Sequence, residues 1–332
     1  MKIAYLGVGT WGFALAYRLV KNGHEVVAWT RDEPLVQELR KKGMHPKLQG
    51  KPLDAPMKIT SCLEEALVDV DIIVESVTSS GIREVLTRVL SIATKPLPVI
   101  LTSKGIEEKT SFLLPEVVEE ILGEKNRFLI GCLSGPSHAE EVVKDLPTSV
   151  VASSYDPKLT QTIIQMFSAE SFRIYPTTDV NGTAFGGAMK NVIAIACGVS
   201  DGLGFGDNTK AALMTRGLHE MRKLSKTKGC KEETLNGLSG MGDLCVSCLS
   251  KHSRNYQLGY LLAQGHSLLS AKEKIGMVVE GAYAAKSILQ LAKKHNMPVP
   301  ITEAIYHVIY SGKDPKQSVK DLLARTVKEE SL

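Results

Sequence analysis

One lysine lies in an otherwise apolar stretch of the chain, where an ammonium group could do chemistry. The stretch AMKNVIAIACG, residues 188–198, carries Lys190 as its one charged residue. If the stretch is helical, Gly186 and Gly187 lie one turn before Lys190 on the same face, and helical side chains lean toward the preceding turn. We therefore expect the lysine to extend over a patch without side chains, which would leave room for a ligand.

The face that carries this lysine continues with Ile193, Ala194 and Cys197, so the ammonium group of Lys190 would be partly buried. Burial lowers the pKa of a lysine toward the range that is useful for proton transfer. The alternative is a core-helix lysine whose side chain extends to water. From this stretch alone, both interpretations stand.

Other polar residues follow strands or turns, where sites commonly form. In LTSKGI, Lys104 comes directly after a predicted strand, the place where open α/β sheets bind ligands. In LSGPSHAEE, Gly135 and Ser137 precede a helix start whose backbone amides could hold an anion. In GMGDL, Asp243 lies on a glycine-rich turn, and nearby Ser247 could reach a phosphate.

The segment HSRNYQLG has the pattern of a helix start that binds phosphate. Ser253 is a candidate N-cap, and Arg254 and Asn255 follow it. An arginine at a helix start combines a bidentate side chain with free backbone amides, which suits a phosphate group. Each of these residues, taken singly, is more often a cap or a surface residue than part of a site.

A glycine-rich turn near the amino terminus predicts a dinucleotide site. GVGTWG, residues 7–12, has the GxGxxG spacing between a strand, KIAYL, and a helix. Gly7 permits the tight turn, Gly9 lets backbone approach a pyrophosphate, and Gly12 allows helix and strand to pack closely. A purely structural turn would leave three glycines at this spacing unexplained.

The end of the second strand indicates which cofactor binds. In EVVAWTRDE, Arg31 favours the 2'-phosphate of NADPH, and Asp32 one place later keeps NADH open. The alternative is a solvated pair of charges in a turn.

The elements that position these residues are of two kinds. The first half alternates strand-like runs with helical segments, which predicts a Rossmann-type parallel sheet covered by helices. The strand candidates are KIAYL, EVVAWT, DIIVESV, PVILTS, RFLIGCLS, SVVAS and FRIYP. Two early helices should end at Gly23 and Gly43, as C-cap glycines would. From about Phe185 only helical patterns remain, so we expect an α/β domain over 1–184 and an all-helical domain over 185–332.

Length and composition agree with this division and exclude other classes. A chain of 332 residues exceeds the usual size of one hydrophobic core. Its formal net charge of +4 gives no reason to expect nucleic acid as a partner. Six scattered cysteines predict a reducing compartment without disulfides, and CVSC at 245–248 lacks the second ligand pair of a metal site, so no metal is expected. The start has no signal-peptide pattern, and the stretch around Lys190 is too short and too charged to span a bilayer, so we expect a cytoplasmic protein.

The chain resembles the bacterial NAD(P)-dependent glycerol-3-phosphate dehydrogenases. The resemblance runs from Lys2 to about Gly312, and the long block GGAMKNVIAIACGVSDGLGFGDN is its most specific part. It is carried in order by GVGTWGFALA, LTSKGI, LSGPSHAEE, this block, TRGLHEM, GMGDL, SRNYQLG and VVEG. It implies a helical domain like that of 6-phosphogluconate dehydrogenase. It also implies reversible reduction of dihydroxyacetone phosphate by NADPH or NADH to sn-glycerol 3-phosphate, the backbone precursor of phospholipids.

The resemblance also implies roles for particular residues. Lys190 would be the general acid and base, and Asp243 would position it. Cofactor contacts would come from Thr10, Trp11, Arg31, Lys104, Ala139, Arg254, Val278 and Glu280, besides the three glycines. Substrate contacts would come from Lys104, Gly135, Ser137, Lys190, Asp243, Ser253, Arg254 and Asn255. The family further suggests a homodimer.

One segment departs from the family pattern, and two other functions remain open. VESVTSSGI has Thr78 and Ser79 where the family usually has a proline after the strand. A dehydrogenase for hydroxy acids or ketopantoate would not need Arg254 and Asn255 as a phosphate clamp. A non-catalytic NADPH sensor would have no reason to keep Lys190 and Asp243 together.

Overall fold

The computed structural model describes residues 1–50, 57–326 and 329–330, which form two compact units. The first unit contains Met1–Ser103 and Leu114–Thr183, and the second contains Lys104–Leu113 and Ala184–Leu332. A single division at residue 184 therefore misses one segment. Ile106 and Leu113 of that segment are buried in the hydrophobic core of the second unit, which explains its assignment.

In the part of the chain that the structure describes, eight strands form one sheet in the first unit, in the order β3-β2-β1-β4-β5-β6-β7-β8. The strands are β1 Lys2–Leu6, β2 Glu25–Trp29, β3 Lys58–Thr60, β4 Ile72–Glu75, β5 Val99–Leu101, β6 Ile130–Ser134, β7 Thr148–Ser154 and β8 Phe172–Thr177. The seven strands predicted from sequence are present, and β3, with three residues, is the one missed. The register pairs Leu6 with Glu75 and Glu75 with Leu101, so β1, β4 and β5 end side by side.

The sequence predicts a parallel sheet, and one pair of its strands departs from this prediction. β7 runs antiparallel to β6, while β8 runs parallel to β7. A parallel connection needs a crossover, usually with a full helix. The segment between β6 and β7 contains only the short helix Ala139–Val142, so β7 runs back antiparallel beside β6.

Helices flank this sheet, and their ends follow local sequence. The helices of the first unit are α1 Thr10–Lys21, α2 Glu33–Lys42, α3 Leu63–Ala66, α4 Ile82–Ile92, α5 Leu114–Leu122, the 3-10 helix Glu124–Leu129, α6 Ala139–Val142 and α7 Pro157–Phe167. Helix α2 ends at Gly43 in the left-handed conformation, as predicted. Helix α1 instead has Asn22 as its C-cap, and Gly23 follows with a φ of 82°.

The second unit has helices as its main elements over its described residues, and its segment Lys104–Leu113 is not helical. Its elements are α8 Val180–Gly202, α9 Asp207–Ser225, the 3-10 helix Lys226–Lys228, α10 Glu232–Asn236, the π-helical turn Leu238–Gly242, α11 Asp243–Leu249, α12 Arg254–Ala263, α13 Leu268–Ile275, α14 Glu280–Lys294, α15 Pro300–Tyr310 and α16 Pro315–Leu323. Helix α8 contributes residues such as Val192, Ile193 and Ile195, none of them exposed, to the core. The remaining helices pack around this core.

Helix α8 is longer than the apolar stretch around Lys190 that the sequence predicts to be too short to span a bilayer. It has 23 residues, and among the described residues it is the one helix long and apolar enough to cross a membrane. However, 94% of its most apolar 18-residue window is buried inside the protein. Its composition is therefore accounted for by its place in the core.

Candidate functional site

The glycine-rich turn between β1 and α1 has the close packing that its spacing predicts. Gly7 has a φ of +93°, a conformation that side chains disfavour, and a Cβ there would lie 2.8 Å from the carbonyl carbon and oxygen of Ser76. A Cβ on Gly12 would lie 1.9 Å from the Gly7 oxygen. Both glycines are therefore required for helix α1 to start directly above the end of β1.

The start of helix α1 fits the pyrophosphate of a dinucleotide. Gly9 is the N-cap, no side chain caps the helix, and a Cβ on Gly9 would meet nothing within 4 Å. The first amides of α1, at Thr10 and Trp11, therefore begin a helix of 12 residues beside open space. Amides and helix dipole together favour an anion at such a position. The Trp11 ring nitrogen donates to the Thr102 carbonyl at 3.2 Å, which fixes this side chain.

Arg31 and Asp32 follow β2 and have different surroundings. Arg31 is exposed. Asp32 is the N-cap of α2, and its carboxylate accepts from the Leu35 amide at 3.1 Å. A carboxylate used as a helix cap is less available for a ribose hydroxyl, so Asp32 has a structural role at the start of α2.

The polar residues after β6 form a turn of their own. Gly135 has a φ of +150°, and a Cβ there would lie 2.9 Å from the Val150 Cα. The Ser137 hydroxyl donates to the Gly135 carbonyl at 2.9 Å. Ala139 begins the four-residue helix α6. This turn places all three residues at the carboxyl end of β6, where the sequence predicts substrate and cofactor contacts.

The second unit contains a buried cluster of two lysines and one carboxylate. Lys190 on α8 is 7% exposed, and Asp243 at the start of α11 is 1% exposed. The Lys190 ammonium donates to the Asp243 carboxylate and, at 2.8 Å, to the Ser247 hydroxyl. The Lys104 ammonium donates to the other carboxylate oxygen at 2.6 Å. Lys104, Lys190 and Asp243, predicted separately, thus lie together.

This cluster exists because a glycine lets two backbones approach closely. A Cβ on Gly186 would lie 2.2 Å from the Ser239 carbonyl oxygen and 3.0 Å from the Gly240 Cα. The π-helical turn Leu238–Gly242 therefore fills the space over Gly186, and Asp243 follows it directly. The prediction of an open patch for a ligand beside Lys190 was wrong at this glycine, because the patch receives the turn that brings in the carboxylate.

The electrostatics of the cluster suit proton transfer. Burial lowers the pKa of Lys190 to about 7. The Asp243 carboxylate opposes this shift, and the positive charge of Lys104 adds to it. An ammonium with a pKa near neutral can both hold and release a proton under ordinary conditions. The apolar face of α8 has the effect that the sequence predicts.

Ser253, Arg254 and Asn255, the residues of the predicted phosphate clamp, lie at the start of helix α12. The Ser253 hydroxyl accepts from the Tyr256 amide at 3.3 Å, so this residue is the N-cap that the sequence predicts. The Arg254 guanidinium donates to the Val278 carbonyl at 3.2 Å, which places these two residues together. Glu280 begins helix α14 two residues beyond Val278.

Asn255 connects this helix start to the residue beside the buried lysine. Its amide nitrogen donates to the Asn191 side-chain oxygen at 2.9 Å, and its oxygen accepts from the Gly281 amide at 2.9 Å. Asn191 was not among the predicted site residues, although it stands next to Lys190 in sequence. Its side chain links α8, which carries Lys190, to α12, which carries Arg254.

The two cysteines of CVSC lie on helix α11 as free thiols. Cys248 is buried, and a hydrogen bond with Cys197 together with burial raises the pKa of its thiol. Burial also raises the pKa of Cys245. Thiols with raised pKa values are poor nucleophiles. Their spacing therefore reflects one face of a short helix that packs on α8.

The two halves of the chain match the two family models of NAD-dependent glycerol-3-phosphate dehydrogenase, the N-terminus over residues 2–160 and the C-terminus over residues 179–320. A glycerol-3-phosphate dehydrogenase (NAD(P)+) of Protochlamydia amoebophila is 54% identical over 100% of this chain and 99% of its own. One of Chlamydia pneumoniae is 50% identical, covering 99% of each. The crystal structure of the Coxiella burnetii glycerol-3-phosphate dehydrogenase superimposes with a TM-score of 0.93 at 36% identity, covering 98% of this chain and 99% of that one.

Proposed function

Because the chain belongs to the NAD-dependent glycerol-3-phosphate dehydrogenase family, we propose that it interconverts dihydroxyacetone phosphate and sn-glycerol 3-phosphate. It is then an oxidoreductase that uses NADPH or NADH, and its product is the backbone precursor of phospholipids. The buried cluster of Lys190, Asp243 and Lys104 is the observation that carries the proposal. An ammonium beside a carboxylate, with a pKa near neutral, suits a group that transfers a proton.

Lys190 is the general acid in the direction of ketone reduction. The nicotinamide cofactor supplies the hydride when it is bound. As the carbonyl carbon is reduced, negative charge builds on its oxygen, and the Lys190 ammonium stabilises that charge and gives the oxygen its proton. In the reverse direction the neutral amine accepts the proton from the alcohol. A pKa of about 7 allows both steps at neutral pH.

Asp243 and Lys104 set the state of Lys190. The Asp243 carboxylate accepts from both ammonium groups, so it orients them and favours the charged form of Lys190 until the proton is transferred. The positive charge of Lys104 has the opposite effect on the pKa of Lys190 and adds a second cation for the anionic substrate. The carboxylate thereby balances two lysines that would otherwise repel each other.

The substrate phosphate is held away from the reacting carbon, where binding energy serves orientation. Arg254 supplies a bidentate guanidinium for it, with the amides at the start of α12. Asn255 and Ser253 contribute from the same helix start, and Gly135 and Ser137 contribute from the turn after β6. Of these, Asn255 also fixes Asn191 beside Lys190.

The cofactor is held by the glycine turn and by residues near it. Gly7, Gly9 and Gly12 shape the start of α1, whose amides at Thr10 and Trp11 would hold the pyrophosphate. The further cofactor contacts are Arg31, Lys104, Ala139, Arg254, Val278 and Glu280. Of these, Arg31 discriminates in favour of NADPH, because its guanidinium neutralises a 2'-phosphate.

We place the enzyme in the cytoplasm, as a homodimer that acts on small molecules. The free cysteines fit a reducing compartment, and burial of α8 within the protein accounts for its apolar composition. The homodimer is what the family resemblance implies.

A substrate panel tests the proposed reaction. Purified protein is mixed with NADPH or NADH and with dihydroxyacetone phosphate, dihydroxyacetone, ketopantoate or pyruvate, and absorbance of the reduced cofactor is followed. The proposal predicts consumption with dihydroxyacetone phosphate and at least a hundredfold lower kcat/KM with dihydroxyacetone, which lacks the phosphate. Consumption only with a keto acid would indicate a hydroxy-acid dehydrogenase. Cofactor binding without consumption would indicate a sensor.

A further inference from the structure

A second charged side chain lies in an apolar strand, and it belongs to the cofactor-binding unit. Glu75 ends β4 after Ile72, Ile73 and Val74, and it has no exposed surface. Burying a carboxyl group is costly unless its oxygens receive hydrogen bonds. The structure supplies them from two neighbouring segments of backbone.

The Glu75 carboxyl group joins the segments that follow two adjacent strands. One oxygen accepts from the Val77 amide at 3.1 Å, two residues after β4. The other accepts from the Ser103 hydroxyl at 2.6 Å, two residues after β5, with the Thr102 and Ser103 amides at 3.3 and 3.4 Å. Parallel strands bind their ligands at this end of the sheet.

The peptides held by Glu75 are those on which the glycine turn rests. A Cβ on Gly7 would lie 2.8 Å from the Ser76 carbonyl and 2.9 Å from the Val77 nitrogen, so the turn is in direct contact with this peptide. The Trp11 ring nitrogen donates to the Thr102 carbonyl at 3.2 Å. The start of helix α1 thus touches both segments that Glu75 connects.

A chain of hydroxyl groups reinforces the same connection. The Tyr5 and Ser76 hydroxyls are 2.7 Å apart, and Ser76 is hydrogen-bonded to the Thr102 hydroxyl. The Thr102 hydroxyl donates to the backbone carbonyl of Glu75 at 2.6 Å. These hydrogen bonds connect β1, β4 and β5 at their carboxyl ends, next to the Glu75 carboxyl group.

We propose that Glu75 is a positioning residue for the dinucleotide cofactor: it bridges Val77 and Ser103 and so fixes the backbone that supports the glycine turn and Trp11. The inference rests on the cofactor use of the proposed function, but not on the identity of the substrate. Loss of the bridge lets the Ser76–Val77 peptide move against Gly7. The helix start that receives the pyrophosphate then loses its fixed geometry, and the cofactor binds more weakly.

The bridge does not require a negative charge. Burial raises the pKa of Glu75 to about 7, so the neutral acid is populated near neutral pH. One oxygen of the acid can donate to the Ser103 hydroxyl while the other accepts from the Val77 amide. A glutamine makes one of the two bonds: its oxygen can accept from the Ser103 hydroxyl and from the Thr102 and Ser103 amides, but its amide nitrogen then faces the Val77 amide and cannot accept from it. An alanine makes neither.

Three variants test the bridge: Glu75→Gln, Glu75→Ala and Ser103→Ala. The dissociation constant of NADPH is measured by fluorescence titration without substrate, and thermal unfolding is followed by circular dichroism. We expect at least a tenfold weaker constant for Glu75→Ala, and about threefold for Ser103→Ala and for Glu75→Gln, each of which weakens one side of the bridge. In steady-state kinetics the KM for NADPH should rise for the same variants, and the KM for dihydroxyacetone phosphate should stay within twofold.

Each result decides the proposal. A folded Glu75→Ala variant with the wild-type constant would overturn it. If Glu75→Ala does not fold, Ser103→Ala decides, and an unchanged constant for that variant overturns the proposal. A folded Glu75→Gln variant with the wild-type constant would also overturn it, because that variant lacks the bond from the Val77 amide. A wild-type protein that binds NADPH but leaves dihydroxyacetone phosphate unreduced contradicts only the proposed reaction.

Discussion

Replacing Asp243 by asparagine removes the negative charge that two buried lysines share. The side chain keeps its size, but Lys190 and Lys104 donate to different carboxylate oxygens, so only one of them keeps an oxygen as its acceptor. What is lost is the attraction between the Asp243 carboxylate and Lys190, which favours the charged form of the lysine. The proton donor of the proposed reaction should therefore lose its proton at a lower pH.

The size of the shift follows from the burial of the pair. Removing one partner of a buried ion pair costs about 3–5 kcal/mol. Because Lys104 and Lys190 share the carboxylate, we assign roughly 3 kcal/mol to Lys190, which is about 2 pKa units. Starting from a pKa of about 7, the pKa of Lys190 in the variant falls to about 5. At pH 7 its charged fraction falls from about one half to about 1%.

The assay is the rate of ketone reduction as a function of pH. Because the reaction needs the ammonium, kcat falls as pH rises through the pKa of Lys190. The Asp243→Asn variant should show this fall about 2 units lower, with kcat at pH 7 reduced about 50-fold and partly restored near pH 5. Ser247→Ala is the matched control, since it removes a neutral acceptor of the same ammonium and should shift the profile by less than about 0.5 unit. An Asp243→Asn profile with its wild-type midpoint would refute the reasoning.

Three further changes test other parts of the account. Arg31→Ala should weaken NADPH binding at least tenfold and NADH less than twofold, measured by fluorescence titration, and equal losses would remove Arg31 from cofactor selection. Gly186→Ala should destabilise the fold by about 1–3 kcal/mol in urea and lower activity, because its Cβ would displace the Ser239 peptide, whereas Gly206→Ala, with nothing within 4 Å, should cost less than about 1 kcal/mol. Glu220 is buried and caps α15 through two amides, and burial raises its pKa to about 7, above the unfolded value, so its stabilising protonation is lost as pH rises through 7. Relative to wild type, Glu220→Gln should therefore gain roughly 2.5 kcal/mol in unfolding free energy from pH 5 to pH 8, and a constant difference would contradict this.

The sequence predicts most of the sheet because its strands are buried apolar runs bounded by turns. The direction of β7 escaped prediction, since pairing direction depends on the length of the connecting helix and not on the strand itself. β3, Lys58–Thr60, is too short to show a periodic pattern. The segment Lys104–Leu113 joins the second unit through Ile106 and Leu113, a packing preference that local sequence does not encode.

The candidate site was predictable residue by residue but not as an arrangement. Lys190 stands out because it is charged within an apolar helix, yet its partner Asp243 lies 53 residues away. The two residues meet because Gly186 lets the turn before Asp243 approach helix α8. The sequence had predicted open space for a ligand at this glycine. Glu75, like Lys190, is a charged residue within an apolar element. Its partners are backbone amides and a serine, which a sequence pattern does not reveal.

The measurement that tests the central claim most directly compares the wild-type protein with Lys190→Met. Both are titrated with NADPH by fluorescence, and both are assayed for oxidation of NADPH by dihydroxyacetone phosphate, with glycerol 3-phosphate as the product quantified. We predict unchanged NADPH affinity within about twofold and a kcat reduced by roughly a hundredfold or more, since a general acid contributes about 10²–10⁴ in rate. A Lys190→Met variant that reduces dihydroxyacetone phosphate at a near-normal rate would contradict the assignment of the proton donor, and a wild-type protein that never reduces it would contradict the proposed reaction.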